Sequence, residues 1–186
     1  VIEPIIASDT FSADEWKDPI NPPYFYYMYY MYANIASLNM YRLQRGLNTF
    51  DFRPHCGESG HYSHLAAAFL TARGISQGLK LKESPSLKYL YYLTQIGISI
   101  SPMSNHMQQC TYDRNPFNNY FVRGLNVSLS SDEPLEFHRT QEPLIEEYAM
   151  AQQMWKYEDI DLVEICRNSI NQSGYVEEKK KTLLGE

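Results

Sequence analysis

The apolar and polar positions of the chain alternate between two periods, and this alternation predicts short strands separated by helices. Apolar alternation that ends at proline or glycine predicts strands at residues 49–54, 74–78, 97–101 and 125–130. Helical periodicity, with Ser, Pro or Gly at its borders, predicts helices at about 23–45, 62–72, 86–95, 115–123, 142–156, 158–172 and 175–184. Short strands alternating with helices are typical of βα units around a parallel sheet.

Four βα units are half of an eight-stranded (β/α)8 barrel, which is larger than this chain of 186 residues. Prolines punctuate residues 1–23, so this part is predicted to be an irregular lead-in, and residues 24–186 are predicted to form one α/β domain followed by helices. A half-barrel has unpaired sheet edges. We therefore expect a protein partner, or an amino-terminal half of the same protein, to cover them.

The first predicted helix contains an unusual number of tyrosines. Six of the 16 tyrosines lie between Tyr24 and Tyr32, around Met28 and Met31. Such a helix is apolar nearly all the way round, which predicts burial on more than one side. A subunit interface is the second interpretation, and the two are compatible.

Composition narrows the class of protein. The formal net charge is -6 and 44% of residues are hydrophobic, which argues against a nucleic-acid partner. No apolar run reaches the roughly 18 residues of a membrane span. Three widely spaced cysteines indicate free thiols in a reducing, intracellular compartment, and we expect a cytoplasmic protein.

Polar residues follow each predicted strand, where the carboxyl ends of parallel strands gather the chemistry of a βα barrel. These residues are His55 with Glu58, Gln77, Ser104 with Asn105, and Asp132 with Glu133. Histidine and aspartate are ligands for zinc, and a nearby glutamate can move a proton. A His-x-x-Glu pair alone is more often a structural histidine beside a solvated glutamate. Four clusters on four strand ends favour a site.

Longer words of the sequence resemble the AMP deaminase family. They are Asn21-Pro22-Pro23, Tyr29-Tyr30-Met31-Tyr32-Ala33-Asn34-Ile35, Phe52-Arg53-Pro54-His55-Cys56-Gly57-Glu58, Ser101-Pro102-Met103-Ser104-Asn105, Ser128-Leu129-Ser130-Ser131-Asp132-Glu133-Pro134-Leu135, and Glu142-Pro143-Leu144. The resemblance covers residues from about 20 to 185. It implies the carboxyl-terminal half of a metal-dependent-hydrolase-type TIM barrel.

The resemblance also implies a zinc-dependent aminohydrolase that converts AMP to IMP and ammonia. By matching words, His55 and Asp132 are zinc ligands and Glu58 donates a proton to the purine. Gly57, Ser104 and Asn105 fall at substrate-binding positions. The Pro-Cys-x-x-Cys signature of the other zinc deaminase class is absent.

This sequence departs from the family's sequence motifs at three points, and each concerns a catalytic or metal-binding position. The word Ile75-Ser76-Gln77-Gly78 has glutamine where the family has histidine, and Glu133 replaces the second aspartate of an Asp-Asp pair. The chain has no His-x-His word, so His55 and Asp132 are its two implied ligands, and zinc is expected to be absent or weakly bound.

These departures predict a family member that has lost catalysis and acts as a structural or assembly subunit of a larger complex. One alternative is an active AMP deaminase whose amino-terminal half is not in this chain. The other alternative is a regulatory module that binds a purine nucleotide such as AMP. The remaining histidines are expected to be solvated or capping, and His138 is expected at the surface or, less simply, beside a phosphate pocket.

Overall fold

The described part of the chain is built around one parallel sheet flanked by helices. The computed structural model describes residues 22–108 and 110–186. The strands lie in the order β1-β2-β3-β4, and all neighbouring pairs are parallel. The strands are β1 (His55–Cys56), β2 (Gly74–Gln77), β3 (Gly97–Ile100) and β4 (Val127–Leu129). The helices are α1 (Tyr24–Gln44), α2 (His64–Thr71), α3 (Pro85–Thr94), α4 (Pro102–Met107), α5 (Phe117–Val122), α6 (Pro134–Phe137), α7 (Pro143–Trp155), α8 (Asp159–Gln172) and α9 (Glu177–Leu184), with a 3₁₀ helix at Leu79–Glu83. The prediction of a parallel α/β half-barrel followed by helices is confirmed.

The position of the first strand was predicted wrongly. The prediction placed it at 49–54, whereas β1 is His55–Cys56. The Pro54 and Cys56 carbonyls accept the N–H groups of Ser76 (3.0 Å) and Gly78 (2.8 Å), so the ladder starts where the prediction ended it. Proline lacks an N–H but keeps its carbonyl, and can therefore stand at the start of a strand. His55 consequently lies within β1 and not after it.

Short helices that the sequence pattern did not predict follow three of the strands. The 3₁₀ helix follows β2, α4 follows β3, and α6 follows β4. Pro102 and Pro134 occupy first-turn positions of α4 and α6, where their fixed φ angle suits a helix and no N–H is needed. Prolines that were interpreted as strand terminators are thus also helix starts. These helices set the positions of the polar residues at the carboxyl edge.

The core lies between the sheet and the helices that cover its outer face. Ile75, Ile98, Ile100 and Val127 of the strands are almost fully buried. Helix α8 packs closely on β4, and Gly97 of β3 leaves room for its last residue: a Cβ there would lie 2.7 Å from the Gln172 side chain.

Helix α1 departs from its predicted burial. Among its residues, only Met28 is buried, while Tyr29 is 61% exposed. The helix contacts α2. The prediction that it is buried on more than one side is therefore wrong for the described residues, and the interface interpretation stays a prediction.

Three further predictions can be compared with the described residues. The lead-in at 1–23 lies outside them, except for residues 22 and 23. Cys56, Cys110 and Cys166 are free thiols. In the part of the chain that the structure describes, no helix is long and apolar enough to cross a membrane.

Candidate functional site

The candidate site lies at the carboxyl edge of the sheet, where the ends of β2 and β4 are joined through side chains. Gln77, the last residue of β2, donates its Nε2 hydrogen to Oδ2 of Asp132 at 3.1 Å. Gln77 is 1% exposed. Its carbonyl oxygen Oε1 accepts Nδ2 of Asn105 at 2.6 Å. Both polar atoms of the Gln77 side-chain amide therefore have hydrogen-bond partners within the protein.

Helix α4 supplies the rest of this network. Ser104 Oγ donates to Asp132 Oδ2 at 3.4 Å. Asn105 Oδ1 accepts Nδ2 of Asn115 at 3.1 Å, and Asn115 Oδ1 accepts the Phe117 N–H at 3.0 Å. The chain of amides thus runs from the backbone of α5 to the Asp132 carboxylate. We call Gln77, Ser104, Asn105, Asn115 and Asp132 the closed side of the site.

The other side of the site follows β1. His55 is exposed, and its carbonyl accepts the Tyr24 hydroxyl at 3.0 Å. Gly57 turns the chain with φ +71°, and a Cβ there would lie 2.7 Å from Leu65, so glycine is required for this turn. A cavity of about 240 Å³ is lined by these residues and by Glu58. We call Tyr24, His55, Gly57 and Glu58 the open side.

Glu58 is the residue of the open side whose polar atoms are least satisfied. Its Oε1 is buried and has no hydrogen-bond partner among the described residues. Burial raises the pKa of Glu58; His55 opposes this rise, while Asp132 and Glu133 add to it. These residues therefore lie within electrostatic reach of one another. A carboxyl group with a raised pKa can hold a proton for transfer at neutral pH.

Glu133 lies next to Asp132, but its strongest interaction is with Glu136. The residue is exposed, and hydrogen bonding and repulsion with Glu136 raise its pKa. Its backbone is left-handed, with φ +41°, at the N-cap of α6. No hydrogen bond described for the network reaches the Glu133 side chain.

Backbone strain marks the same edge. The non-glycine residues with positive φ in the described ranges are Gln77, Gln95, Glu133 and Lys156. Gln95 and Lys156 are the C-caps of α3 and α7, where this conformation is common. Gln77 is instead the last residue of β2, and Glu133 lies between β4 and α6. Strain of about 1–2 kcal/mol per residue gathers at functional positions.

The described residues do not by themselves fit a zinc ion. Within residues 22–108 and 110–186, no group of three or more His, Cys, Asp or Glu side chains is placed to hold a metal. Zinc sites use at least three protein ligands. Asp132, one of the two implied ligands, is already bonded to Gln77 and Ser104. A zinc ion here would need ligands from outside the described residues.

Two features escaped the sequence analysis. Asn115 was predicted to open a helix and was not among the candidate site residues, although it is buried in the closed side. His138 was expected at the surface, and this is wrong: its side chain and that of Glu147 are both 0% exposed, with Nε2 and Oε1 3.1 Å apart. His61 and His106 are exposed, as expected, whereas His64 is buried and stacks on Tyr24 at 4.3 Å.

Comparisons with known proteins agree with this architecture. The adenine deaminase of Arthrobacter aurescens matches with a TM-score of 0.75 and 20% identity, over 91% of this chain and 49% of that one. A zinc-bound amidohydrolase from Burkholderia ambifaria gives 0.69 and 17%, over 92% and 45%. These likenesses support the partial-barrel fold.

Sequence comparisons identify the family. AMP deaminase from Saccharomyces cerevisiae is 54% identical over 171 residues, which are 92% of this chain and 21% of that protein. Human AMP deaminase 3 is 56% identical over 173 residues, 93% of this chain and 23% of that protein. The chain thus spans about a fifth of the length of these relatives. A family model for AMP deaminase matches residues 4–186, and the chain belongs to the AMP deaminase family.

Proposed function

We propose that the protein to which this chain belongs has lost, or has strongly weakened, hydrolytic deamination of AMP and serves as a structural or assembly subunit. The observation that supports this proposal most directly is that both polar atoms of the Gln77 side-chain amide are hydrogen-bonded within the protein. Its amide is bonded to Asn105 and Asp132, and it cannot take up or release a proton at neutral pH.

The chemistry of deamination explains why this matters. Hydrolysis at C6 of a 6-aminopurine develops negative charge on the attacking oxygen, and a preorganised donor that can also accept a proton lowers that barrier. Loss of one such stabiliser costs on the order of 10²–10³ in rate. A neutral amide that is already bonded to Asp132 supplies neither charge nor proton transfer.

Glu133 supports the same proposal. Its exposed side chain interacts most strongly with Glu136, and no hydrogen bond described for the closed side reaches it. A displacement of about 1 Å at a substrate-binding group already reduces turnover. Scaffold residues of the family words remain in the core, so the fold is kept while two chemical positions differ.

The second candidate function is an active AMP deaminase, and Glu58 favours it. Its buried Oε1 has no partner among the described residues and its pKa is raised by burial, which suits a proton donor beside a cavity. In that case the remaining zinc ligands come from other parts of the protein.

The test uses the purified full-length protein and its Gln77→His, Glu133→Asp double variant. Zinc content is measured by mass spectrometry, AMP binding by calorimetry, and ammonia release by a coupled assay. We expect substoichiometric zinc, little or no ammonia from the natural protein, and a gain of at least about tenfold in the double variant. The control is Gln95→His, an exposed glutamine with the same left-handed backbone.

Each outcome separates the candidates. Stoichiometric zinc with sustained ammonia release from the natural protein establishes the active enzyme and overturns the proposal. AMP binding without turnover supports the lost-catalysis proposal and adds a nucleotide-binding role. An equal gain from Gln95→His would show that the effect does not belong to the closed side.

A further inference from the structure

A buried histidine–glutamate pair lies behind the closed side. His138, the C-cap of α6, places Nε2 3.1 Å from Oε1 of Glu147 on α7, and neither side chain is exposed to solvent. Isolated buried charges are costly, and such a pair persists where its remaining atoms are also bonded. The question is therefore what else the Glu147 carboxylate holds.

Its second oxygen holds the first turn of α4. Glu147 Oε2 accepts the Met103 N–H at 3.1 Å. N–H groups in the first turn of a helix have no partner within the helix, and a carboxylate is a favourable acceptor for them. Glu147 therefore ties α4 to α7 at the end of α4 that follows β3.

The next two residues of α4 are the ones that reach the site. Ser104 and Asn105 are buried, and they donate to Asp132 and Gln77 respectively. A shift of the first turn of α4 moves both donors at once. The contacts thus run from Glu147 to Met103, along α4, and then to the Asp132 carboxylate and the Gln77 amide.

The tautomer of His138 follows from the same geometry. Its Nδ1 is buried and has no hydrogen-bond partner among the described residues. An unpaired buried acceptor costs less than an unpaired buried N–H, and a carboxylate that accepts from Met103 can also accept from a ring N–H. When Glu147 is ionised, His138 therefore carries its hydrogen on Nε2 and donates it to that carboxylate.

From these contacts we infer that Glu147 is a positioning residue for the candidate site: held by His138, it fixes the first turn of α4 and thereby sets the orientation of the Gln77 amide toward Asp132. This role goes beyond the proposed loss of catalysis and does not depend on it, because it concerns the arrangement of the network and not turnover.

The experiment follows the side-chain amide of Gln77 by NMR in the full-length protein. Its NH₂ resonances are assigned by their loss in a Gln77→Met variant, and their hydrogen exchange is measured in the natural protein, Glu147→Ala and Glu147→Gln. We expect Glu147→Ala to speed this exchange by at least about tenfold. Glu147→Gln keeps a carbonyl oxygen for Met103 and should retain most of the protection.

Two controls separate positioning from general destabilisation. Glu146→Ala removes the neighbouring glutamate, which bonds Arg139 and Thr140 and not α4, and should leave Gln77 exchange unchanged. Ile165→Ala opens a buried position of α8 and should lower the melting temperature without a selective effect on Gln77. Should Glu147→Ala fail to fold, His138→Gln is measured instead and should speed exchange by about threefold or more.

The inference is overturned if Glu147→Ala, or His138→Gln in its place, leaves Gln77 exchange within about twofold of the natural protein. It is also overturned if Ile165→Ala, at an equal loss of melting temperature, speeds the exchange as much. Neither result depends on whether the protein releases ammonia, so this test and that of the proposed function can fail separately.

Discussion

On the closed side of the site, Gln77, Asn105 and Asp132 bond one another, whereas on the open side Glu58 keeps a buried oxygen without a partner among the described residues. The two sides follow adjacent strands of one sheet. On the closed side, the side-chain amides and the Asp132 carboxylate have hydrogen-bond partners. On the open side, the unpaired carboxyl costs stability, which is typical of residues kept for binding or chemistry.

This difference bears on the proposal that catalysis has been lost on the closed side, and it separates two kinds of polar environment. A fully hydrogen-bonded network around one carboxylate is rigid, and its neutral amides do not transfer protons at neutral pH. An unpaired carboxyl with a raised pKa is reactive but destabilising. Substitutions should therefore have opposite signs on the two sides, and this contrast can be tested.

The largest effect is expected on the closed side for Asn105→Leu. It leaves Gln77 Oε1 and Asn115 Nδ2 buried without partners. Each such atom costs about 1–3 kcal/mol, so the free energy of unfolding should fall by about 3 kcal/mol in urea titrations. Gln108→Ala, at an exposed position just after α4, is the control and should change it by less than about 0.5 kcal/mol. If both substitutions lowered the free energy of unfolding equally, the hydrogen bonds of the closed side would not be the cause of the loss, and the prediction would be wrong.

The second largest effect is expected for the pH dependence of the free energy of unfolding that Glu147, which links α7 to α4, contributes. Burial raises the pKa of Glu147 from 4.5 to about 7, Glu146 and Asp132 add to this rise through like charge, and His138 Nε2 lies 3.1 Å from Oε1. The folded state therefore holds a proton that the unfolded chain releases near pH 4.5. This contribution is full below pH 4.5 and is lost as the pH rises to about 7.

The free energy of unfolding of the natural protein, relative to Glu147→Gln, should thus fall by roughly 2–3 kcal/mol from pH 4.5 to 7.5. Glu146→Gln is the matched control with the opposite sign, because hydrogen bonding from Thr140 lowers the pKa of Glu146. A difference that rises with pH for Glu147→Gln would contradict the prediction. The measurement is urea unfolding at a series of pH values.

A smaller loss is expected at the edge of the open side for Tyr24→Phe. The Tyr24 hydroxyl donates to the His55 carbonyl, and the ring keeps its stacking on His64 after the substitution. Loss of one such bond should lower the free energy of unfolding by about 1 kcal/mol. Tyr29→Phe, on the exposed part of α1, is the control and should have no measurable effect.

The smallest effect, and the one with reversed sign, is expected for Glu58→Gln. Because the folded state raises the pKa of Glu58, ionisation above its ordinary value disfavours folding, and a neutral amide removes that cost. The side chain is only partly buried, so water screens the gain to about 0.5 kcal/mol at pH 7. Thermal unfolding at pH 7 and pH 4 should show the gain only at the higher pH. Destabilisation at pH 7 would mean that Glu58 is satisfied in solution.

Much of the fold could be predicted from the sequence, because proline and glycine end strands and helices through local effects on the backbone. Proline and glycine bound β2, β3 and β4, and the amphipathic patterns of α7 and α8 are long. The start of β1 could not be predicted, since it depends on which carbonyls meet β2. The exposure of α1 could not be predicted either, because an apolar sequence pattern does not show whether other parts of a structure pack against the helix.

The candidate site was predictable in place but not in detail. Strand ends indicated that Gln77, Ser104, Asn105 and Asp132 would meet, and the structure joins them by hydrogen bonds. The direction of each amide depends on tertiary contacts. His138 and Glu147 were missed because they meet across a loop between two helices, a contact for which the sequence has no periodic signal.

We propose above all that Gln77, whose amide is hydrogen-bonded to Asn105 and Asp132, stands in place of a catalytic group that transfers protons. The most direct measurement is steady-state ammonia release from AMP by the full-length natural protein with zinc supplied, side by side with human AMP deaminase 3. We expect a rate at least about 100-fold below that of human AMP deaminase 3. A rate that falls short of the relative by less than this factor would contradict it.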